Sequence, residues 1–174
     1  MFKITKRLTV LFFLLLFAIY CKYTFEFCQV YGTSMLPSIK QGDYLLIYKG
    51  NRHFKRGDVV IVKMKDIFTG SSYRVVKRVI GLPNETLILE KHSVSIIDKT
   101  GQIKTLKESW VPWYEYNNCL QYKKVKIASD EIFIMGDNRY ISYDSRKYGP
   151  VNISKVEGKV LVILCNFPSM QFEE

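Results

Sequence analysis

The chain has 174 residues, 48% of them apolar and 24% charged, enough for one anchoring segment and one compact domain but too few for two full domains. Its net charge of +10 is spread along the sequence with no helix-turn-helix, zinc-finger or RNA-binding signature beside it, so nucleic acid is set aside as a partner. The excess suits attraction to an anionic membrane surface, and removing Lys3, Lys6 and Arg7 still leaves +7.

Residues 8–21 carry no charge, are dominated by Leu and Phe, and follow Lys3, Lys6 and Arg7, which is a signal-peptide-like start. The run is shorter than the roughly 20 residues that span a bilayer. A helix from about Ile4 to Tyr23 nevertheless spans if Lys22 snorkels and the flanking aromatics sit at the interface. The alternative is a cleaved signal peptide, but residues 19–23 show no small-x-small cleavage pattern and Tyr20 before Cys21 makes a poor lipobox. The expected organisation is a cytoplasmic N-terminus at 1–7, a retained single-pass transmembrane signal anchor in the cell membrane at 8–26, and an extracytoplasmic β-rich domain at 27–174.

Beyond Val30 come short apolar or alternating runs at 44–48, 59–63, 73–80, 86–89, 93–97, 131–135 and 159–164, none of helical length. Between them stand Gly42-Asp43, Arg56-Gly57-Asp58, Gly70-Ser71-Ser72, Pro83-Asn84, Thr100-Gly101 and Gly136-Asp137-Asn138, all turn-forming clusters. The fold class predicted is mostly β, a coiled antiparallel sheet in a barrel-like or sandwich arrangement behind one N-terminal transmembrane helix. The least regular stretch, about 98–122, reads as a small insert. Its Trp110, Pro112, Trp113 and Tyr114 are as well suited to packing on the main sheet as to touching lipid. The four cysteines, at 21, 28, 119 and 165, lack the close spacing of zinc sites, and no metal or other cofactor is expected. A bridge between Cys119 and Cys165 is an option, with small buried apolar residues the favoured reading.

Three segments carry candidate chemistry: residues 32–37 with Ser34, residues 73–83 with Lys77, and residues 136–146. A serine hydroxyl attacks an amide when a base takes its proton. His53, among Arg52, Lys55 and Arg56, and His92, after Lys91, both read as surface residues. A lysine serves instead if burial lowers its pKa from about 10.4 towards neutrality. On a strand, Tyr73, Val75, Lys77 and Val79 share one face, which would wall the amine with two valines and a ring. Arg78 is ruled out as base because a guanidinium does not deprotonate in proteins. Taken singly, Lys77 reads as a strand lysine that snorkels and Ser34 as a turn serine between Gly32 and Pro37. The backbone N–H of Ser34 is the natural half of an oxyanion hole.

Together these segments resemble the type I signal peptidases of bacteria. Ser34-Met35-Leu36-Pro37 is similar to that family's nucleophile box and Gly42-Asp43 continues it. Arg56-Gly57-Asp58-Val59-Val60 resembles the next box, and Lys77-Arg78-Val79-Ile80-Gly81-Leu82-Pro83 the one holding the catalytic lysine. Gly136-Asp137-Asn138-Arg139, Ser142, Asp144-Ser145-Arg146 and Gly149-Pro150-Val151 match the last box in order and spacing. The resemblance implies Ser34 as nucleophile, Lys77 as general base, Ser142 as the hydroxyl that orients the lysine, and Asp137, Arg139, Asp144 and Arg146 as ion pairs holding the last box. It also implies preprotein substrates with small residues near the cleavage site, bound extended beside a strand, with no metal. Two departures are visible. Tyr140-Ile141 stand where the family commonly has Asp-Asn, and Asn84-Glu85 follow Pro83 in place of Gly-Asp. Gly32 supplies no second oxyanion donor, as in the family's Gram-positive branch. Two readings compete with the peptidase: a noncatalytic chaperone using the same groove in surface pilin assembly, and a conjugation- or repressor-type Ser/Lys peptidase.

Overall fold

The computed structural model describes residues 2–50, 52–66, 68–90, 93–98, 100–111 and 123–165, with side chains from Arg7 onward. Helix α1 runs Phe2–Thr24 and presents Leu11, Phe13 and Phe17 fully outward. Its Arg7–Thr24 portion is long and apolar enough to cross a membrane. The helix stops at Thr24, where 8–26 was expected, because the next residues have partners elsewhere. Strand β1 (Phe25–Gln29) starts at once and pairs along its whole length with β2 (Tyr44–Tyr48), while the Lys49 N–H donates to the Thr24 carbonyl at 2.9 Å.

The other strands are β3 (Val59–Lys65), β4 (Ser72–Gly81), β5 (Thr86–Glu90), β6 (Ser93–Ile97), β7 (Ile103–Thr105), β8 (Lys123–Lys126), β9 (Glu131–Met135), β10 (Val151–Asn152) and β11 (Val156–Leu164), with a one-turn helix α2 (Ser145–Tyr148) before β10. They make a seven-stranded sheet in the order β1-β2-β11-β3-β4-β9-β10 and a four-stranded sheet in the order β7-β6-β5-β8. All the pairings are antiparallel. The mostly β expectation therefore holds, and among the described residues the large sheet is open, short of a closed barrel. It coils instead: Arg74 on β4 reaches back to Glu26 on edge strand β1 at 2.6 Å and to Glu157 on β11 at 2.7 Å. The guanidinium holds the Glu26 carboxyl below its usual range.

Alternation along the strands divides the apolar side chains among three clusters. Met35, Ile39, Leu45, Ile47 and Ile61 fill the first, Val60, Val62, Val79, Ile132 and Ile134 the second. The third, built from Ile80, Leu87, Val94, Ile127 and Phe133, joins the small sheet to the ends of β4 and β9. Residues 98–122 are thus part of that small sheet as far as they are described, with Trp110 packed against its core. Pro112, Trp113, Tyr114 and Cys119 lie outside the described residues, and so does the Cys119–Cys165 pairing.

Register shifts where β11 crosses from β2 to β3, beside Gly158. A Cβ there would lie 2.5 Å from Ile47 Cγ2 and 2.8 Å from the Tyr48 carbonyl oxygen, which as backbone cannot give way. Gly158→Ala is expected to cost about 1–3 kcal/mol of stability. Urea unfolding measures it, and a wild-type midpoint would show the sheet less tightly wound here than described.

Candidate active site

Ser34 sits in a turn that its neighbours fix. Met35 and Ile39 are fully buried in the cluster behind it, and the Ile39 N–H donates to the Met35 carbonyl at 2.9 Å. On the other flank, Asn138 donates its backbone N–H to the Ser34 carbonyl at 3.1 Å and its side-chain amide to the Thr33 carbonyl at 3.3 Å. The loop carrying the hydroxyl is thus pinned from an apolar core on one side and from the last motif on the other. Among the described residues the Ser34 N–H makes no backbone hydrogen bond, and Gly32, at φ +89°, has open space around it.

Lys77 lies midway along β4, only 3% exposed. Val75 and Val79 share its face, as alternation requires, and Val60 stands opposite it on β3. Tyr73, expected as the third wall, is 41% exposed and leaves the valines to seal the stem. The Lys77 Nζ is 2.7 Å from Ser34 Oγ and 3.0 Å from the Val76 carbonyl oxygen, to which it donates. Burial is the main cause of a pKa lowered to about 8; the Asp144 and Asp137 carboxylates oppose the drop and the Arg146 guanidinium adds to it.

Both carboxylates are matched. Arg78 donates from Nε and Nη2 to Asp137 at 2.8 and 2.6 Å and from Nη1 to the Gly57 carbonyl at 2.8 Å. Arg146 donates to Asp144 at 2.8 and 2.9 Å, and Asp144 also accepts from the Gly136 N–H at 2.9 Å. All four residues expected to form ion pairs holding the last box are ion-paired, Asp144 and Arg146 with each other. Asp137 takes Arg78 from β4, and Arg139 takes Glu108 from the small-sheet connector. Arg78 was in view only as an unsuitable base, and nothing in its surroundings marked Glu108. The Ser142 Oγ is buried without a hydrogen-bond partner among the described residues, and the amine contacts Ser34 and the Val76 carbonyl. His53 is exposed, as its charged neighbours suggested, and His92 lies outside the described residues. The departure Asn84-Glu85 has a structural use. Asn84 adopts φ +65°, which Asn tolerates, and Glu85 accepts from Arg56 at 2.7 Å and from the Leu82 N–H at 2.8 Å.

A cleft of about 290 Å³ opens beside the pair, with Gln29, Gly32 and Ile61 among its walls and β4 residues 74–77 along one side. Residues 72–77 pair with β3, whereas β9 joins β4 only from Arg78 onward, so this stretch keeps a free edge among the described residues. Those residues bring no three His, Cys, Asp or Glu side chains together as a ligand set.

An alcohol against a buried amine, in a β domain behind an apolar helix, is the equipment of a serine peptidase that works without histidine. Residues 3–165 match the family model described as signal peptidase, peptidase S26. Signal peptidase I of Bacillus licheniformis is 34% identical over 142 residues, covering 78% of this chain and 74% of that protein. Signal peptidase I V of Bacillus subtilis is 32% identical over 142 residues, 76% and 81% of the two chains. A solved signal peptidase I from Enterococcus faecalis is 30% identical with a TM-score of 0.48, covering 63% of this chain and 97% of that one. The chain belongs to the signal peptidase, peptidase S26 family, whose reaction is the removal of signal peptides by a serine endopeptidase.

Gly136 shows how tightly the site is assembled. A Cβ at this position would lie 2.3 Å from Ser142 Oγ and 2.4 Å from the Ser34 carbonyl oxygen. Gly136→Ala is therefore expected to lower cleavage of a model preprotein roughly tenfold or more by displacing the turn that carries Ser34. Wild-type turnover in the purified variant would contradict that close approach.

Proposed function

We propose that Ser34 is the nucleophile and Lys77 the general base of this signal peptidase, on the strength of the 2.7 Å separation between a hydroxyl and a buried amine. The neutral amine accepts the Ser34 Oγ proton as the oxygen attacks the scissile carbonyl carbon. The ammonium so formed gives that proton to the departing amine, leaving an ester on Ser34. Lys77 then serves again as base for the water that hydrolyses the ester. The Ser34 N–H, with no competing backbone acceptor among the described residues, faces the developing oxyanion. The buried Ser142 hydroxyl is an acceptor for the ammonium at the moment Lys77 carries the extra proton.

The substrate is an exported preprotein whose residues before the cleavage point lie extended along the free edge of β4, with small side chains in the cleft. Main-chain hydrogen bonds supply affinity there and the narrow walls supply selection. Helix α1 anchors the enzyme in the bilayer with Lys3, Lys6 and Arg7 on the cytoplasmic side and the β domain outside. The chaperone reading has no observation in its favour, since both members of the dyad are present and in contact.

Ser34→Ala and Lys77→Arg are each expected to abolish processing of a model preprotein by detergent-solubilised protein. Retained cleavage in either would remove that residue from its role. The wild-type rate should rise with pH through about 8, as Lys77 loses its proton, then level off; a profile flat from acid to alkali would remove lysine as base. Stability carries the same signature with a definite sign. Between about 8 and the ordinary value of 10.5 the unfolded chain binds the proton and the folded chain does not, so the Lys77 contribution to stability improves as pH rises. Lys77→Met is expected to be more stable than wild type at neutral pH, with a margin that shrinks across that window. Denaturant titrations at several pH values test it, and a pH-independent margin would show that folding does not lower the pKa of the amine.

A further inference from the structure

The connector that follows β7 in the small sheet runs back to the active site. Its base is fixed: the Leu106 N–H donates to the Val94 carbonyl at 2.8 Å, the Val111 N–H to the Glu108 carbonyl at 3.1 Å, and Leu106 and Trp110 pack on the small-sheet core. From this base Glu108, 8% exposed, accepts from Arg139 Nη1 at 2.9 Å and again from Nη2. Arg139 is itself 2% exposed and donates from Nε to the Gly136 carbonyl at 3.0 Å, while its own carbonyl accepts from Arg146 at 2.7 Å. Two residues along, the indole of Trp110 lies 4.8 Å from the Arg78 guanidinium that holds Asp137. One short connector thus touches two arginines that grip the segment 136–142, Arg139 within it and Arg78 through Asp137.

We propose that Glu108 is a positioning residue for peptide-bond cleavage: through Arg139 it holds the segment that places Asn138 on the Ser34 carbonyl and Ser142 beside Gly136. The role rests on the Ser34–Lys77 reading above and extends it to a residue of the second sheet. Its physical basis is the cost of a buried guanidinium left without its carboxylate, which drives Arg139 towards water and carries the segment with it. The nucleophile turn then loses its Asn138 support, and water gains access to a lysine whose pKa depends on exclusion from it, with Asp137, Asp144 and Arg146 as the charged groups around it.

The test compares Glu108→Gln with Val94→Ala, a core truncation in the same small sheet, in full-length detergent-solubilised protein acting on a model preprotein. Glu108→Gln is expected to lower kcat roughly tenfold or more with little change in KM, and to move the midpoint of the rate's rise to higher pH. Val94→Ala is expected to lower the Tm while leaving kcat and that midpoint in place at temperatures well below it. If Glu108→Gln does not fold, Glu108→Asp carries the same test, because it keeps the charge and withdraws the carboxylate from Arg139. A Glu108 variant with wild-type kcat and midpoint, or with losses that Val94→Ala reproduces in full, overturns the positioning role. Activity surviving Ser34→Ala would instead overturn the dyad, so the two failures are distinguishable.

Discussion

The site depends on one amine kept out of water. Lowering Lys77 from 10.5 to about 8 corresponds to about 3 kcal/mol of net preference for the neutral amine, caused mainly by burial. A single bare carboxylate about 4 Å away, in surroundings of intermediate dielectric, would return about 4 kcal/mol in favour of the ammonium. The valines alone would therefore not suffice. Asp137 and Asp144 both act on the lysine, but each is held by its own arginine, so the amine meets ion pairs and not isolated negative charges. The arginine partners of the last motif are in this sense part of the lysine's chemistry as well as of the fold.

The two sheets divide the work. The large sheet brings Ser34 and Lys77 together from distant parts of the sequence, one in a turn braced by Met35 and Ile39, the other on a strand walled by Val60, Val75 and Val79. Among the described residues the small sheet makes no hydrogen bond to the Ser34–Lys77 pair. It shares its core with the ends of β4 and β9 through Ile80, Phe133 and Met135, and its connector ends on Arg139.

The strongly patterned strands were legible from residues alone: 44–48, 93–97 and 131–135 have the bounds their alternation suggested. Strands β1, β7, β8 and β10 were not, each for a local reason. Phe25–Gln29 continues the apolar tone of the helix before it, Ile103–Thr105 is exposed throughout, Lys123–Lys126 has one buried residue among lysines, and Val151–Asn152 is too short to show a period. At the site, Ser34 and Lys77 could be named because a turn serine and a walled lysine are local patterns that a family resemblance then joined. The partner of Arg139 could not, because Glu108 lies 31 residues away and its setting in the sequence is unremarkable. The Ser142 hydroxyl was placed by resemblance; it lies buried without a partner among the described residues, while Lys77 donates to the Val76 carbonyl.

Thr24 closes the helix, Phe25 opens the sheet, and no residue stands between them. The Lys49 amide locks the joint, and successive pairings carry it from Phe25 to Tyr48, Lys159, Val60 and finally Lys77. A joint without slack transmits torque: rolling or leaning the helix would roll or lean the reacting groups by a similar angle. Without a tether, the height of the β domain above the bilayer is set by the helix itself.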